Sequence, residues 1–254
     1  MQDYLADNWR EALANNGLCD FDAWWQREAD WFEEPNVRRG GWSGVSRLEL
    51  EMPDGSHRAV FLKRQENHVT RTVLHPLRGI PTFVREMDNI LALQAAGVPA
   101  LKPVYFAERN VEGKQRAILV TEALDGFVPL DKIERANLSL KARKQLVQTV
   151  ADVASRLHRH KLVHNCLYPK HLFVRSGNNG FEVHLIDLEK ARRKWRRGSA
   201  VFRDLDTLNR HSQGWTRSDR RRFLKSYLGE ADATQWRSLW RRLAARAQEK
   251  TARG

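Results

Sequence analysis

The stretch His164-Asn165-Cys166-Leu167-Tyr168-Pro169-Lys170-His171 decides the fold, because of what stands on either side of it. Upstream, Leu146, Val150, Val153, Ala154 and Leu157 recur at helical spacing, which predicts one long amphipathic helix from Leu140 to His160. Downstream, Leu172-Phe173-Val174 and Val183-His184-Leu185-Ile186 flank Gly177-Asn178-Asn179-Gly180, the pattern of a β-hairpin. The hairpin runs into Asp187-Leu188-Glu189, so an acidic residue follows an apolar strand. Beyond about Arg203 the pattern is helical to the end.

Working back towards the start, the rhythm changes. Ala117-Ile118-Leu119-Val120-Thr121 and Pro103-Val104-Tyr105-Phe106-Ala107 predict two strands joined by a turn at Glu112-Gly113. Phe83, Met87, Ile90, Leu91 and Leu93 predict a helix from Thr82 that Gly97 ends. Ala59-Val60-Phe61-Leu62-Lys63 and the alternating Val45-Ser46-Arg47-Leu48-Glu49-Leu50-Glu51 predict strands joined at Pro53-Asp54-Gly55. A further strand from Pro35 to Arg39 meets them through Gly40-Gly41-Trp42-Ser43-Gly44. Residues 1–34 read as helical, and their tryptophans Trp9, Trp24, Trp25 and Trp31 read as packing residues. The fold class is α+β. A helical extension (1–34) precedes a small antiparallel-sheet lobe with one helix (35–123) and a mostly helical lobe (124–254).

Charge divides the chain differently. Its 44 Lys and Arg against 31 Asp and Glu leave a net charge of +13. Residues 1–189 hold 25 of each sign, so the whole excess lies in the basic segment 190–254. Such charge fits an anionic partner: nucleic acid, a membrane surface or a phosphorylated substrate. No zinc-finger, basic-zipper or stacking-sheet motif accompanies it, which disfavours nucleic acid. No apolar run approaches the ~18 residues of a membrane span, and the acidic start lacks a signal-peptide pattern. Two cysteines, Cys19 and Cys166, can build neither a disulfide framework nor a four-thiolate zinc site, so a cytoplasmic setting is expected.

Phosphoryl transfer needs phosphates held, charge neutralised and an acceptor hydroxyl aligned. Gly40, Gly41 and Gly44 could let backbone N–H groups approach phosphate oxygens, though a plain hairpin turn explains them equally. Lys63 ends an apolar strand, where it is either a solvated lysine or a phosphate ligand. Glu86, 23 residues on, is spaced to turn inward from the next helix and pair with it. Asp187 is placed to bind the Mg²⁺ that bridges phosphates, or else to cap the next element.

The loop aligns without gaps on the protein-kinase catalytic loop H-R-D-L-x-x-x-N. Together with PNVRRGGWSGVSRL (35–48), FLKRQENH (61–68), RGIPTFVRE (78–86), HLFV (171–174), LIDLEKAR (185–192) and FRDLDTL (202–208), it resembles the lipopolysaccharide kinase family of the WaaP/InaA type, nearest its InaA-like branch. The resemblance implies a bilobal protein-kinase-like fold, ATP and Mg²⁺ as cofactors, and a sugar hydroxyl of lipopolysaccharide core or another anionic glycolipid as acceptor. It implies that Lys63 holds phosphates, Glu86 orients Lys63 and Asp187 holds metal. His171 stands at the metal-binding Asn position. Thr121 to Leu124 would form the hinge, with the backbone of Glu122 and Leu124 meeting adenine. His164 opens the loop, and Cys166 stands where the catalytic Asp belongs. A thiol is a poor proton acceptor unless its pKa falls, so the alternative is a kinase-fold nucleotide-binding protein without turnover. Arg71, Arg78, Arg192, Arg193 and Arg196 are candidates for holding an anionic acceptor. Trp236, Leu239, Trp240 and Leu243 form one helical stripe among arginines, which reads either as core packing or as a helix lying on the inner face of the cytoplasmic membrane.

Overall fold

The computed structural model describes residues 3–38, 40–71, 75–178, 180–194, 198–229 and 233–252. The chain forms two compact units, residues 1–91 with 101–125, and residues 92–100 with 126–254.

The first unit is built on a six-stranded antiparallel sheet. Its strands are β1 (Tyr4–Leu5), β2 (Trp31–Arg38), β3 (Gly41–Glu51), β4 (His57–Glu66), β5 (Pro103–Val111) and β6 (Lys114–Glu122), in the order β1-β5-β6-β4-β3-β2. The expected turns are present. Glu112 and Gly113 both have positive φ, as a two-residue hairpin whose twist matches its strands requires.

Period-two alternation sends Val60 and Leu62 to one face and Phe61, Lys63 and Gln65 to the other. The first face is covered by the N-terminal segment, with helices α1 (Arg10–Asn15) and α2 (Phe21–Gln26). Trp9 and Trp24 are fully buried there, and Trp24 stacks on Tyr105 at 5.9 Å between ring centroids. Burying 150–250 Å² of each ring contributes about 4–6 kcal/mol before entropy is charged. Arg64, on the same face, donates to the carbonyls of Trp25 and Arg27 and so anchors the exit from α2.

Two expectations for residues 1–34 need correcting. The segment is not a separate extension, because it supplies an edge strand and half of this core. Nor is it wholly helical: Tyr4–Leu5 pairs with β5, and Trp31–Glu34 belong to β2. Both pairings are with residues far along the chain or beyond a turn, where local periodicity carries no signal.

Helix α3 (Thr82–Ala95) carries Phe83, Met87, Ile90 and Leu93 on its buried face and ends at Gly97, whose φ is +61°.

The second unit is mostly helical. Helix α4 (Leu140–Arg159) is capped by Ser139 and buries the predicted apolar face. Strands β7 (Leu172–Gly177) and β8 (Gly180–Leu185) form the expected hairpin, joined by Val128–Pro129 as a third strand. Helices α5 (Gly198–His211), α6 (Arg217–Leu228) and α7 (Ala233–Thr251) follow. A capping box between Thr216 and Asp219 starts α6. Among the described residues no helix is long and apolar enough to cross a membrane.

Candidate active site

In the first unit, β4 and α3 bring Lys63 and Glu86 together, Nζ to Oε1 at 2.6 Å. Glu86 is buried, and the lysine is only 17% exposed. The ammonium is thus held out of bulk solvent with one of its protons committed to the carboxylate.

A residue that the sequence reading missed sets this pair. Gln65 points to the same sheet face as Lys63 and is fully buried. Its side-chain carbonyl accepts from the Thr82 hydroxyl at 2.7 Å and the Phe83 amide at 3.1 Å, and its amide group donates to the His68 carbonyl at 2.7 Å. The first turn of α3 is thereby fastened to β4, one turn before Glu86. The available signal was a polar residue at an inward position of an alternating strand.

Gly40 occupies the turn between β2 and β3 with φ +79° and open space above it. Gly41 and Gly44 have packing reasons of their own. A Cβ on Gly41 would lie against the Glu66 and Asn67 backbone, and one on Gly44 would meet the Trp31 ring at 2.5 Å. At the end of β6, the Glu122 carboxylate accepts from the Trp9 indole at 2.9 Å, and its amide donates to the Lys102 carbonyl. Leu124 is half-buried, and among the described residues its amide has no backbone partner. Arg71 and Arg78 are exposed between β4 and α3.

In the second unit the loop 164–171 is pinned from below. The His164 amide donates to Asp204 Oδ2 at 2.7 Å, and the His164 ring Nε2 donates to the Ile186 carbonyl at 2.9 Å. Asp204, on α5, is itself fully buried and bonded to His158, whose other ring nitrogen meets the Tyr227 hydroxyl. His164 therefore ties the loop to the strand leading into Asp187. It is fully buried, and burial pulls its pKa down, so it is a neutral positioning residue rather than an acid or base at the surface of the site. FRDLDTL contributed to the resemblance, but the role of Asp204 is visible only in three dimensions.

Cys166, His171 and Asp187 are brought together above this base. Asp187 has φ +55° and Asn165 φ +61°, left-handed conformations that Asp and Asn tolerate better than most residues. His171 Nδ1 donates to the Cys166 carbonyl at 2.8 Å, which leaves Nε2 directed at Asp187 Oδ2, 3.4 Å away. Both atoms can serve as ligands to one cation, and the pair is a suitable two-ligand set for a cation that takes its other ligands from phosphate. Burial pushes the Cys166 thiol up, and the Lys190 ammonium beside it opposes the shift without cancelling it. Arg192 and Arg193 are exposed on a two-residue strand paired with Leu162–Val163, while Arg196 lies outside the described residues.

A strand lysine held by a helix glutamate, and a pinned loop followed by a left-handed aspartate, are the parts of a protein-kinase-like phosphotransferase. The comparisons agree. A model of the lipopolysaccharide kinase (Kdo/WaaP) family matches residues 22–227, and the chain belongs to that family. It is 34% identical over 204 residues to Protein InaA of Escherichia coli (strain K12), covering 79% of this chain and 91% of InaA. The solved structure of WaaP in complex with acyl carrier protein matches with a TM-score of 0.69, covering 98% of this chain and 99% of that one. At 22% identity this last likeness is one of fold.

Proposed function

We propose that the protein transfers the γ-phosphoryl group of ATP to a sugar hydroxyl of lipopolysaccharide core. The observation that carries this reading is the Lys63–Glu86 pair at 2.6 Å, a pre-positioned, partly buried cation. Lys63 holds α- and β-phosphate oxygens, and the free amide of Leu124 meets adenine. Asp187 with His171 holds Mg²⁺, which when bound neutralises charge on the phosphates. The acceptor reading is supported by a cavity of about 710 Å³ in the second unit, whose lining includes Tyr168 and Lys170 of the loop with Lys132, Arg143, His211 and Trp215. Aromatic faces and cations suit a sugar ring carrying carboxylate or phosphate. The bond from the γ-phosphorus to the bridging oxygen breaks, and the acceptor oxygen takes its place. In a loose transition state the acceptor proton leaves late, so a missing base slows the step without forbidding it.

One feature favours a second reading, nucleotide binding without turnover: a thiol stands where the catalytic Asp belongs, and burial pushes its pKa further up. Both readings expect Mg-ATP at about a hundredfold excess over its Kd to stabilise the protein by about 2.7 kcal/mol, a melting shift of roughly 5–10 °C. No shift with ATP, ADP or GTP would remove the nucleotide site altogether.

A further inference from the structure

The apolar stripe on α7 is largely taken up in packing: Leu243 is buried, and Trp236, Leu239 and Trp240 are half-buried. What α6 and α7 do present is charge. Arg217 and Arg221 on α6 and Arg237 and Arg241 on α7 are exposed, and with Ser218, Trp236 and Trp240 they line a groove of about 390 Å³. Among the described residues no acidic residue lines it, and none of these four arginines is in an ion pair. The described carboxylates of the two helices are used elsewhere: Asp219 caps α6 and binds Arg135, and Glu249 binds Arg246. Three cations crowd the Trp236 ring, Arg221 at 5.1 Å, Arg237 at 5.5 Å and Lys225 at 5.8 Å from its centroid. Such like charges repel one another, and a bound anion relieves the repulsion. An adjoining cavity of about 500 Å³ shares Arg217 and Trp240 and adds Lys250, so the positive surface extends beyond a single ligand's footprint.

We propose that the α6–α7 groove binds the phosphate groups of an anionic lipid surface and docks the protein there by charge, without insertion. Two features favour lipid over nucleic acid. Three cations stand within 5.8 Å of the Trp236 centroid, so a base stacking there would compete with them for the ring. The four guanidinium groups, without ion pairs among the described residues, stand on two adjacent helices, and Lys250 carries the positive lining into the adjoining cavity, as an array of headgroups requires. The docking needs no turnover and stands apart from the catalytic reading.

The test is co-sedimentation of the full chain with phosphatidylcholine vesicles, with and without phosphatidylglycerol. Binding is expected only with phosphatidylglycerol, and is expected to fade as salt shortens the screening length from about 10 to about 3 Å. Each basic residue near an anionic leaflet contributes about fivefold, so R237Q/R241Q should bind roughly 30-fold more weakly, and adding R217Q/R221Q should cost a further factor of similar size. Lys141→Gln with Lys144→Gln on α4 removes the same charge elsewhere and should bind as the wild type does. The double α7 variant keeps α6 intact, and an unchanged melting temperature confirms that it folds. Equal binding by R237Q/R241Q and the α4 control would overturn the site. So would tighter binding to duplex DNA than to vesicles at the same salt.

Discussion

Replacing Cys166 with aspartate is expected to raise turnover by about 10²–10⁴-fold, the usual contribution of a positioned general base. The loop is otherwise ready for it. Asp204 holds the His164 amide, His164 holds the strand before Asp187, and the Asn165 side chain donates to the Lys190 carbonyl at 2.8 Å. The thiol itself is half-buried, and burial raises its pKa, so at neutral pH it carries the proton it would have to lose before accepting another. Thiolate forms only as pH climbs beyond the ordinary thiol range, so the wild-type rate should rise towards alkaline pH. The aspartate variant should already be on its plateau at neutral pH. Steady-state rates across pH for the two proteins decide this. An unchanged rate in the variant would mean that the acceptor proton leaves by a route that does not involve position 166.

Asp187→Ala should remove Mg²⁺-dependent nucleotide stabilisation and reduce transfer below detection. Mg²⁺ prefers oxygen ligands and binds through one or two carboxylates together with phosphate. Without Asp187, the ring nitrogen of His171 remains, a donor better matched to other metals. The alanine also removes a residue held at φ +55°, where alanine is itself disfavoured, so melting without nucleotide must be recorded alongside. The informative quantity is the difference between melting shifts with and without Mg²⁺. A difference that survives the substitution would place the cation on other residues.

Much of the candidate site stands out along the chain, and what does not has a common cause. Lys63, Glu86 and Asp187 stand out along the chain as candidates because each sits at a defined point of a periodic element: Lys63 after the apolar run Ala59–Leu62, in a strand that continues to Glu66, Glu86 one helical turn inside α3, and Asp187 after an apolar strand. Gln65 and Asp204 escaped because their roles are to hold other segments. Gln65 reaches 18 residues along the chain to the start of α3, and Asp204 reaches back 40 to the loop. The same distinction separates the glycines. Gly40 shows its turn locally, whereas Gly44 is small because Trp31 lies against it from the neighbouring strand. The alignment with the kinase catalytic loop made His164 a catalytic candidate, and only its burial reveals it as a tie. The N-terminal strands were hidden for a related reason. Trp31 and Phe32 suit a strand as well as a helix, and β1 exists only because Tyr105 and Phe106 are there to pair with it. The basic segment was legible in position and sign, but its apolar stripe is largely taken up in packing, which leaves charge to make a membrane contact.

Phosphoryl transfer is tested most directly by the appearance of label from γ-³²P-ATP in purified lipopolysaccharide core glycolipid. The prediction is slow, Mg²⁺-dependent incorporation by the wild-type protein, lost in Asp187→Ala and raised in Cys166→Asp. Absence of label with the wild type and with Cys166→Asp, in protein that still binds Mg-ATP, would contradict it and leave a nucleotide-binding protein that does not transfer phosphate to this acceptor.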